Sequence, residues 1–280
     1  MTATTERRGG TVNSDAEQSA NRGAAFFDLD RTLIQGSSTV KWALAAWRAG
    51  MLPGAPMLSA LVNGITFRIT GGSDEQSRKA VETSLELVAG AEKAAMLELS
   101  DELVPKLVSK VRPESNNLLE MHGEAGRDRY IVSASPIEIV GALADQLGLE
   151  GAIGTEAEVA DDGRYTGALT SAWIYGPAKA EAINKLAAER GYDLELCYSY
   201  SDSSSDLPML EMVGHPVVVN PDSALHKIAR TRGWPVVEFR SRATEITKYG
   251  VLGAAAGGGM VGSYYLGRRH ERGHWRGVRR

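Results

Sequence analysis

Three times in this chain a short apolar run ends on a cluster of acidic or hydroxyl side chains, and that pattern limits the fold more than any other feature. Ala24-Ala25-Phe26-Phe27 runs into Asp28-Leu29-Asp30-Arg31-Thr32. Tyr130-Ile131-Val132 runs into Ser133-Ala134-Ser135, and Leu194–Tyr200 into Ser201-Asp202-Ser203-Ser204-Ser205-Asp206. Short, largely apolar runs, the third interrupted by Glu195 and Ser199, read as strands, buried on both faces where the run is unbroken, as in a parallel sheet. Helical patterns separate them: Pro113 stands at a helix start, and Ile137–Leu147 and Lys179–Arg190 follow, the last ended by Gly191. Residues 153–170 read as a hairpin turning at Asp162-Gly163, and Pro216–Val219 and Pro235–Phe239 as further strands. Between the first strand and Pro113 the spacing is helical throughout, with Val40, Leu44, Trp47 and Met51, then Val81, Leu85 and Val88. The expected architecture is α/β, a parallel-sheet core with an inserted all-helical cap. The boundaries read as a disordered leader over 1–23, a core over 24–36 and 112–240, a cap over 37–111, and a C-terminal segment over 241–280.

Composition narrows the class of protein. Hydrophobic residues at 43% and charged residues at 24% exclude a disordered or fibrous chain. The leader has no apolar stretch of the kind a secretory signal needs. A single cysteine, Cys197, excludes an intrachain disulfide and is read as a small buried hydrophobe. The formal net charge of −4 is unevenly spread, because residues 268–280 hold six arginines against Glu271. An acidic body is a poor nucleic-acid binder, whereas its basic tail suits an anionic partner.

An open parallel sheet binds its ligand beyond the carboxyl ends of its strands, so the three polar strand ends, with Lys179 at a helix start, are the candidate site. Singly each has a plain structural reading: an acid pair capping a turn, a serine capping a helix, a polar loop, a surface lysine. Together their order, DxDxT, Ser, Lys, DxxxD, resembles the haloacid dehalogenase superfamily of phosphohydrolases. The helical block after motif one and the run Val217-Val218-Val219-Asn220-Pro221-Asp222 are similar to the IB subgroup, which includes phosphoserine phosphatases. That resemblance implies a Rossmann-like core with a helical cap of the C1 type. It implies a Mg²⁺-dependent phosphomonoester hydrolase working through an aspartyl-phosphate. Asp28 would be the nucleophile, and Asp30 the acid and base. Ser133, Lys179 and Thr32 would bind the phosphoryl group, Thr32 also helping to fix the loop. Asp28, the Asp30 carbonyl and Asp202 would hold the metal, supported by Asp206. One departure stands out: Ser201 and Ser203 flank Asp202 where the family commonly has glycine.

In such proteins the cap selects the substrate. Where phosphoserine phosphatases place a glutamate, this chain has Ile34-Gln35-Gly36-Ser37-Ser38-Thr39. No Asp or Glu occurs between Arg31 and Ser73, whereas Arg31, Lys41, Arg48 and Arg68 do. Either this segment favours a neutral or further anionic small phosphate ester over an amine, or the basic residues are solvated surface. Trp42, Trp47, Met51, Met57 and Phe67 form either the cap's own core or an apolar entrance for a lipid-like phosphate. His122 and His215 lie outside all four motifs and are read as structural.

Residues 249–267 carry no charge and include seven glycines, some at small-xxx-small spacing. A membrane-associated or spanning helix, a Gly-rich tail and a helix packed on the body all remain open. The expected setting is cytoplasmic, with an anionic membrane surface as a further partner for residues 249–280. The alternatives in function are a phosphotransferase, a lipid-phosphate phosphatase and a non-catalytic membrane-recruited scaffold.

Overall fold

The computed structural model describes residues 22–51, 81–82, 85–86 and 88–239. A six-stranded, wholly parallel sheet is ordered β3-β2-β1-β6-β7-β8. Its strands are β1 (Ala24–Asp28), β2 (Asp128–Pro136), β3 (Gly151–Thr155), β6 (Tyr198–Ser201), β7 (His215–Val219) and β8 (Val236–Val237). The chain builds β1, β2 and β3 in one direction, then returns to place β6, β7 and β8 on the other side of β1. Strand order therefore reverses between β1 and β6, the switch point at which open sheets bind ligands. Every residue of β1 is buried, as its unbroken apolar sequence requires of a central strand.

The helices follow their capping signals. Helix α1 (Ser38–Arg48) starts after Ser37, whose side chain accepts from the Val40 amide. Helix α2 (Lys93–Val108) follows, and α3 (Pro113–Glu124) has its proline in the first turn, where no amide hydrogen is needed. Helix α4 (Ile137–Gln146) runs directly out of β2. Helix α5 (Pro177–Arg190) stops at Gly191, whose φ of 70° is the left-handed cap expected there. Short α6 (Leu207–Glu211) follows motif four, and α7 (Ser223–Arg232) is capped by Asp222. The core beneath α5 gathers Phe26, Val132, Ile183, Cys197 and Met209.

The insertion leaves and rejoins the sheet side by side. Ile34 bridges Val111, the Gln35 amide bonds the Lys110 carbonyl at 2.9 Å, and the Arg112 amide bonds the Leu33 carbonyl at 3.0 Å. The described part between is helical as expected: α1 packs on α2, and α2 also packs along α4 of the core. Trp42 is buried and its Nε1 donates to Met96 Sδ, while Trp47 is exposed on the same helix. Met57, Phe67 and Arg68 lie outside the described residues.

Four expectations change. Residues 153–170 are not one hairpin: Gly151–Thr155 is the edge strand of the main sheet, and only β4 (Ala157–Val159) and β5 (Tyr165–Leu169) pair antiparallel. Leu194–Leu196 is a 3-10 turn rather than the start of a strand, because the Asp193 side chain accepts from the Glu195 amide and curls the backbone. Cys197 is fully buried as read, but precedes β6 instead of lying in it. Arg22 and Gly23, assigned to the leader, are placed: Arg22 bridges Tyr192 and pairs with Asp128 at 2.8 Å.

Candidate active site

Motif one occupies the end of β1 and the turn after it. Asp28 is the last residue of the strand; Leu29 begins a tight turn in which the Leu33 and Ile34 amides both bond the Leu29 carbonyl at 3.0 Å. Arg31 takes a φ of 65°, a left-handed conformation uncommon outside glycine, and its amide bonds the Gly36 carbonyl. The register of β1 with β6, Phe27 beside Tyr200, brings Asp28 alongside the motif-four loop.

Lys179, in the first turn of α5, is buried between two carboxylates. Its Nζ lies 2.6 Å from Asp28 Oδ1 and 2.7 Å from Asp206 Oδ2. Burial opposes the ammonium charge, but the Asp206 and Asp28 carboxylates outweigh it and hold the lysine above its ordinary pKa. Asp28 moves the other way from an exposed aspartate. Burial lifts it to about 6 against the pull of Lys179, with Asp206 and Asp30 adding repulsion. Asp202, at the end of β6, is lifted to about 8 by burial and then by repulsion from Asp28.

The serines around Asp202 are used rather than merely tolerated. Ser201 Oγ donates to Asp206 Oδ2 at 2.7 Å and accepts from the Ser203 amide at 3.2 Å; Ser203 Oγ accepts from the Ser205 amide. Neither serine has a positive φ, so the loop does not need glycine at these positions. Asp222 ties the loop from outside. Its amide donates to the Asp202 carbonyl at 2.8 Å, Oδ2 accepts from the Ser204 amide at 2.7 Å, and Oδ1 accepts from the Leu225 amide at 2.7 Å to cap α7.

Asp30 faces the insertion. Its Oδ1 accepts from the Ser38 amide at 2.7 Å and Ser38 Oγ at 2.5 Å, and its Oδ2 accepts from Ser37 Oγ at 3.0 Å. Ser133, buried at the end of β2, accepts the Ser135 amide on its Oγ at 3.2 Å. Thr32 is also buried, but its Oγ1 makes no hydrogen bond among the described residues, and its carbonyl accepts from Ser115. Asp28, Lys179, Asp206 and Ser201 thus form one bonded cluster; Asp30, Ser38, Ser135 and Ser133 form a second beside it. His122 is neutral and structural: burial, followed by repulsion from Arg127 and Arg129, lowers its pKa to about 3. Arg127 Nε donates to its Nδ1 at 2.7 Å, which leaves Nε2–H to donate to Tyr200 at 2.8 Å. His215 stacks on Tyr198 outside the site.

Among the described residues no set of three or more His, Cys, Asp or Glu side chains is disposed to hold a metal. The donors nonetheless suit a hard ion that keeps most of its water, since Mg²⁺ is commonly bound by only one or two carboxylates. Asp202 Oδ2 is buried without a hydrogen bond; Arg31 Nε stands 2.9 Å away as an ion pair. Two buried carboxylates that repel one another are an electrostatic demand for positive charge beyond Lys179.

The haloacid dehalogenase-like hydrolase family matches residues 25–211, which includes Asp28, Asp30, Thr32, Ser133, Lys179, Asp202 and Asp206 but stops short of Asp222. The chain belongs to that family. It is a phosphoric monoester hydrolase of the phosphatase kind. A probable phosphatase of Mycobacterium tuberculosis is 42% identical over 219 residues, covering 78% of this chain and 76% of that protein. A phosphoserine phosphatase of the same organism is 36% identical over 241 residues, covering 84% of this chain and 78% of its own. Among solved structures, a Bordetella pertussis protein of unknown function superposes with a TM-score of 0.69 at 27% identity, over 78% of this chain and 98% of that one. The residues singled out in the sequence, Asp28, Asp30, Thr32, Ser133, Lys179, Asp202 and Asp206, lie on β1, β2, the start of α5 and the loops after β1 and β6. No role for Ser38, Ser135 or Asp222 follows from the sequence, where Arg31 counts among the segment's basic residues without its pairing to Asp202; for Asp222 the signal was present, an aspartate two residues beyond Asn220 at a helix start.

Proposed function

We propose that this chain is a Mg²⁺-dependent phosphatase of small phosphate monoesters, working through an aspartyl-phosphate on Asp28. The observation that carries the reading is Lys179 clamped between Asp28 and Asp206 at the strand-order reversal, with Asp202 alongside. Asp28 uses its unclamped oxygen to attack phosphorus as the bond to the leaving oxygen breaks. Asp30 gives its proton to that oxygen. Water then attacks the aspartyl-phosphate, its proton passes to Asp30, and the Asp28–phosphorus bond breaks to release phosphate. Lys179 and Ser133 meet the charge on the phosphoryl oxygens. Asp28, the Asp30 carbonyl and Asp202 would hold the metal, which supplies charge neutralisation when bound. Residues 37–111 act as the substrate-selecting cap.

On substrate, the described residues of the insertion's first helix support an ester without an ammonium group. Ser37 and Ser38 are committed to Asp30, and Lys41 Nζ bonds the Gln35 and Ser37 carbonyls. An ammonium would find no carboxylate on this described helix as counter-charge. The test is phosphate release from purified protein, with Mg²⁺ or EDTA, on phosphoserine and on matched phosphates lacking the amine. Wild type should require Mg²⁺ and prefer the amine-free esters, and Asp28→Asn should release none while keeping its circular dichroism. Turnover by Asp28→Asn defeats the mechanism; a tenfold preference for phosphoserine defeats the substrate reading.

A further inference from the structure

Two buried serine hydroxyls join the insertion to the strand that carries motif two. Ser38 is the first residue of α1 and is wholly buried; Ser135, near the end of β2, is equally closed off. Their Oγ atoms lie 2.8 Å apart, and Thr39 Oγ1 lies 3.2 Å from Ser135 Oγ. Buried hydroxyls need partners, and the direction of these bonds follows from the end of the chain. Ser38 Oγ donates to Asp30 Oδ1, and a hydroxyl has a single hydrogen to give, so Ser135 donates to Ser38 and Thr39 to Ser135.

The two oxygens of Asp30 are consequently unequal. Oδ1 takes two donors from Ser38, its amide at 2.7 Å and its hydroxyl at 2.5 Å, which fill its lone pairs. Among the described residues Oδ2 takes only Ser37 Oγ, at 3.0 Å, and that hydroxyl also serves the Val40 amide. We infer that Ser38 and Ser135 are positioning residues for Asp30, pinning Oδ1 so that Oδ2 is the oxygen exchanging a proton with the ester and the water. This rests on Asp30 being the proton carrier proposed above. Since Ser38 belongs to α1 and Ser135 to β2, the carboxylate is aimed only while the first turn of the insertion is seated on the motif-two strand. Proton delivery is thereby tied to the cap.

Phenyl and p-nitrophenyl phosphate share a shape but differ in how much their leaving oxygen needs a proton, so their ratio of kcat/KM reads proton delivery alone. Both would be measured with Mg²⁺ for the wild type, Ser38→Ala, Ser135→Ala, Asp30→Asn and the Asp30→Asn/Ser38→Ala double variant, with thermal melts of each. General-acid help is worth about 10²–10⁴ in rate. Ser38→Ala should therefore lower phenyl phosphate turnover about tenfold more than p-nitrophenyl phosphate turnover. Ser135→Ala should act the same way but less, and it carries the test if Ser38→Ala fails to fold. Adding Ser38→Ala to Asp30→Asn should leave the ratio where Asp30→Asn alone puts it. Equal losses on both esters for both serine variants, with Asp30→Asn still discriminating, overturn the inference and spare the mechanism. No discrimination by Asp30→Asn overturns both.

Discussion

Replacing Lys179 by methionine tests the electrostatics of the site without touching a metal ligand. Lys179 is 3% exposed and its ammonium is bonded to Asp28 at 2.6 Å and Asp206 at 2.7 Å, so its loss strands two buried carboxylates together. Removing one partner from a buried ion pair costs about 3–5 kcal/mol. In a domain of this size each kcal/mol moves Tm by about 2–4 °C, so Lys179→Met should melt roughly 6–20 °C lower at pH 8 in EDTA. Deleting one of the repelling charges should return part of that, and Lys179→Met/Asp206→Asn should melt above Lys179→Met despite carrying more changes. The non-additivity should be about 0.5–3 kcal/mol, the range for residues in one network. The pH dependence has a fixed sign. Stranded carboxyls take up protons more readily in the folded than the unfolded chain, so the deficit is smallest in acid and grows as the pH rises. Melting by circular dichroism from pH 5 to pH 8, with denaturant titrations at both ends, measures all three quantities. A Lys179→Met protein melting within 2 °C of wild type, or a double variant whose losses simply add, refutes the picture of a clamped cation.

Further expectations concern the metal, the motif-four loop and the C-terminus. Asp28 at about 6 and Asp202 at about 8 are both raised, so the metal-free protein should lose stability as the pH climbs through these values. Mg²⁺ should raise Tm increasingly over the same window, and a flat profile in EDTA counts against it. Asp222→Asn keeps the Oδ1 cap on α7 but turns an amide nitrogen toward the Ser204 amide. It should melt within about 1–2 °C of wild type, as a retained cap implies, yet need several-fold more Mg²⁺ for half-maximal thermal shift. An unchanged Mg²⁺ requirement makes Asp222 a helix cap and no more. Residues 249–280 lie outside the described residues, and no described helix is long and apolar enough to cross a membrane. Their six arginines should gain about 1 kcal/mol each near an anionic leaflet. Full-length protein should therefore sediment with anionic liposomes at low salt, while a 1–245 truncation stays in solution and active; equal sedimentation refutes the tether.

What could be read from sequence was whatever sits at a strand end or a helix start. Asp28 follows an apolar run that fits only a central strand, and Lys179 follows Pro177 at a helix start, so their meeting follows from topology. Edge strand β3 was missed because Gly151-Ala152-Ile153-Gly154-Thr155 has one β-branched apolar residue and two glycines. Gly154 is required by packing, since a Cβ there would lie 2.6 Å from Val140 and 2.8 Å from the Ile137 backbone. The 194–196 turn was missed because one capping aspartate outweighs three residues of apolar spacing. The pairing of Ser38 with Ser135 had no signal at all. Ninety-seven residues separate them, and a serine in a first helical turn looks like any cap.

The rings of Phe27 and Tyr200 stack 4.5 Å apart at 4°, directly under the residues that lead to Asp28 and Asp202. Tyr200 is in turn held by His122 from below. An aromatic column in the hydrocarbon interior thus supports the two acids from beneath, alongside the contacts that Lys179, Arg31 and Asp222 make with them. Folding assembles the acid pair in advance, so the loss of freedom in gathering repelling charges is incurred then. Were a cation to bind there as proposed, its arrival or departure would be an exchange of water and counter-charge on that seat, with no rearrangement of the sheet to wait for.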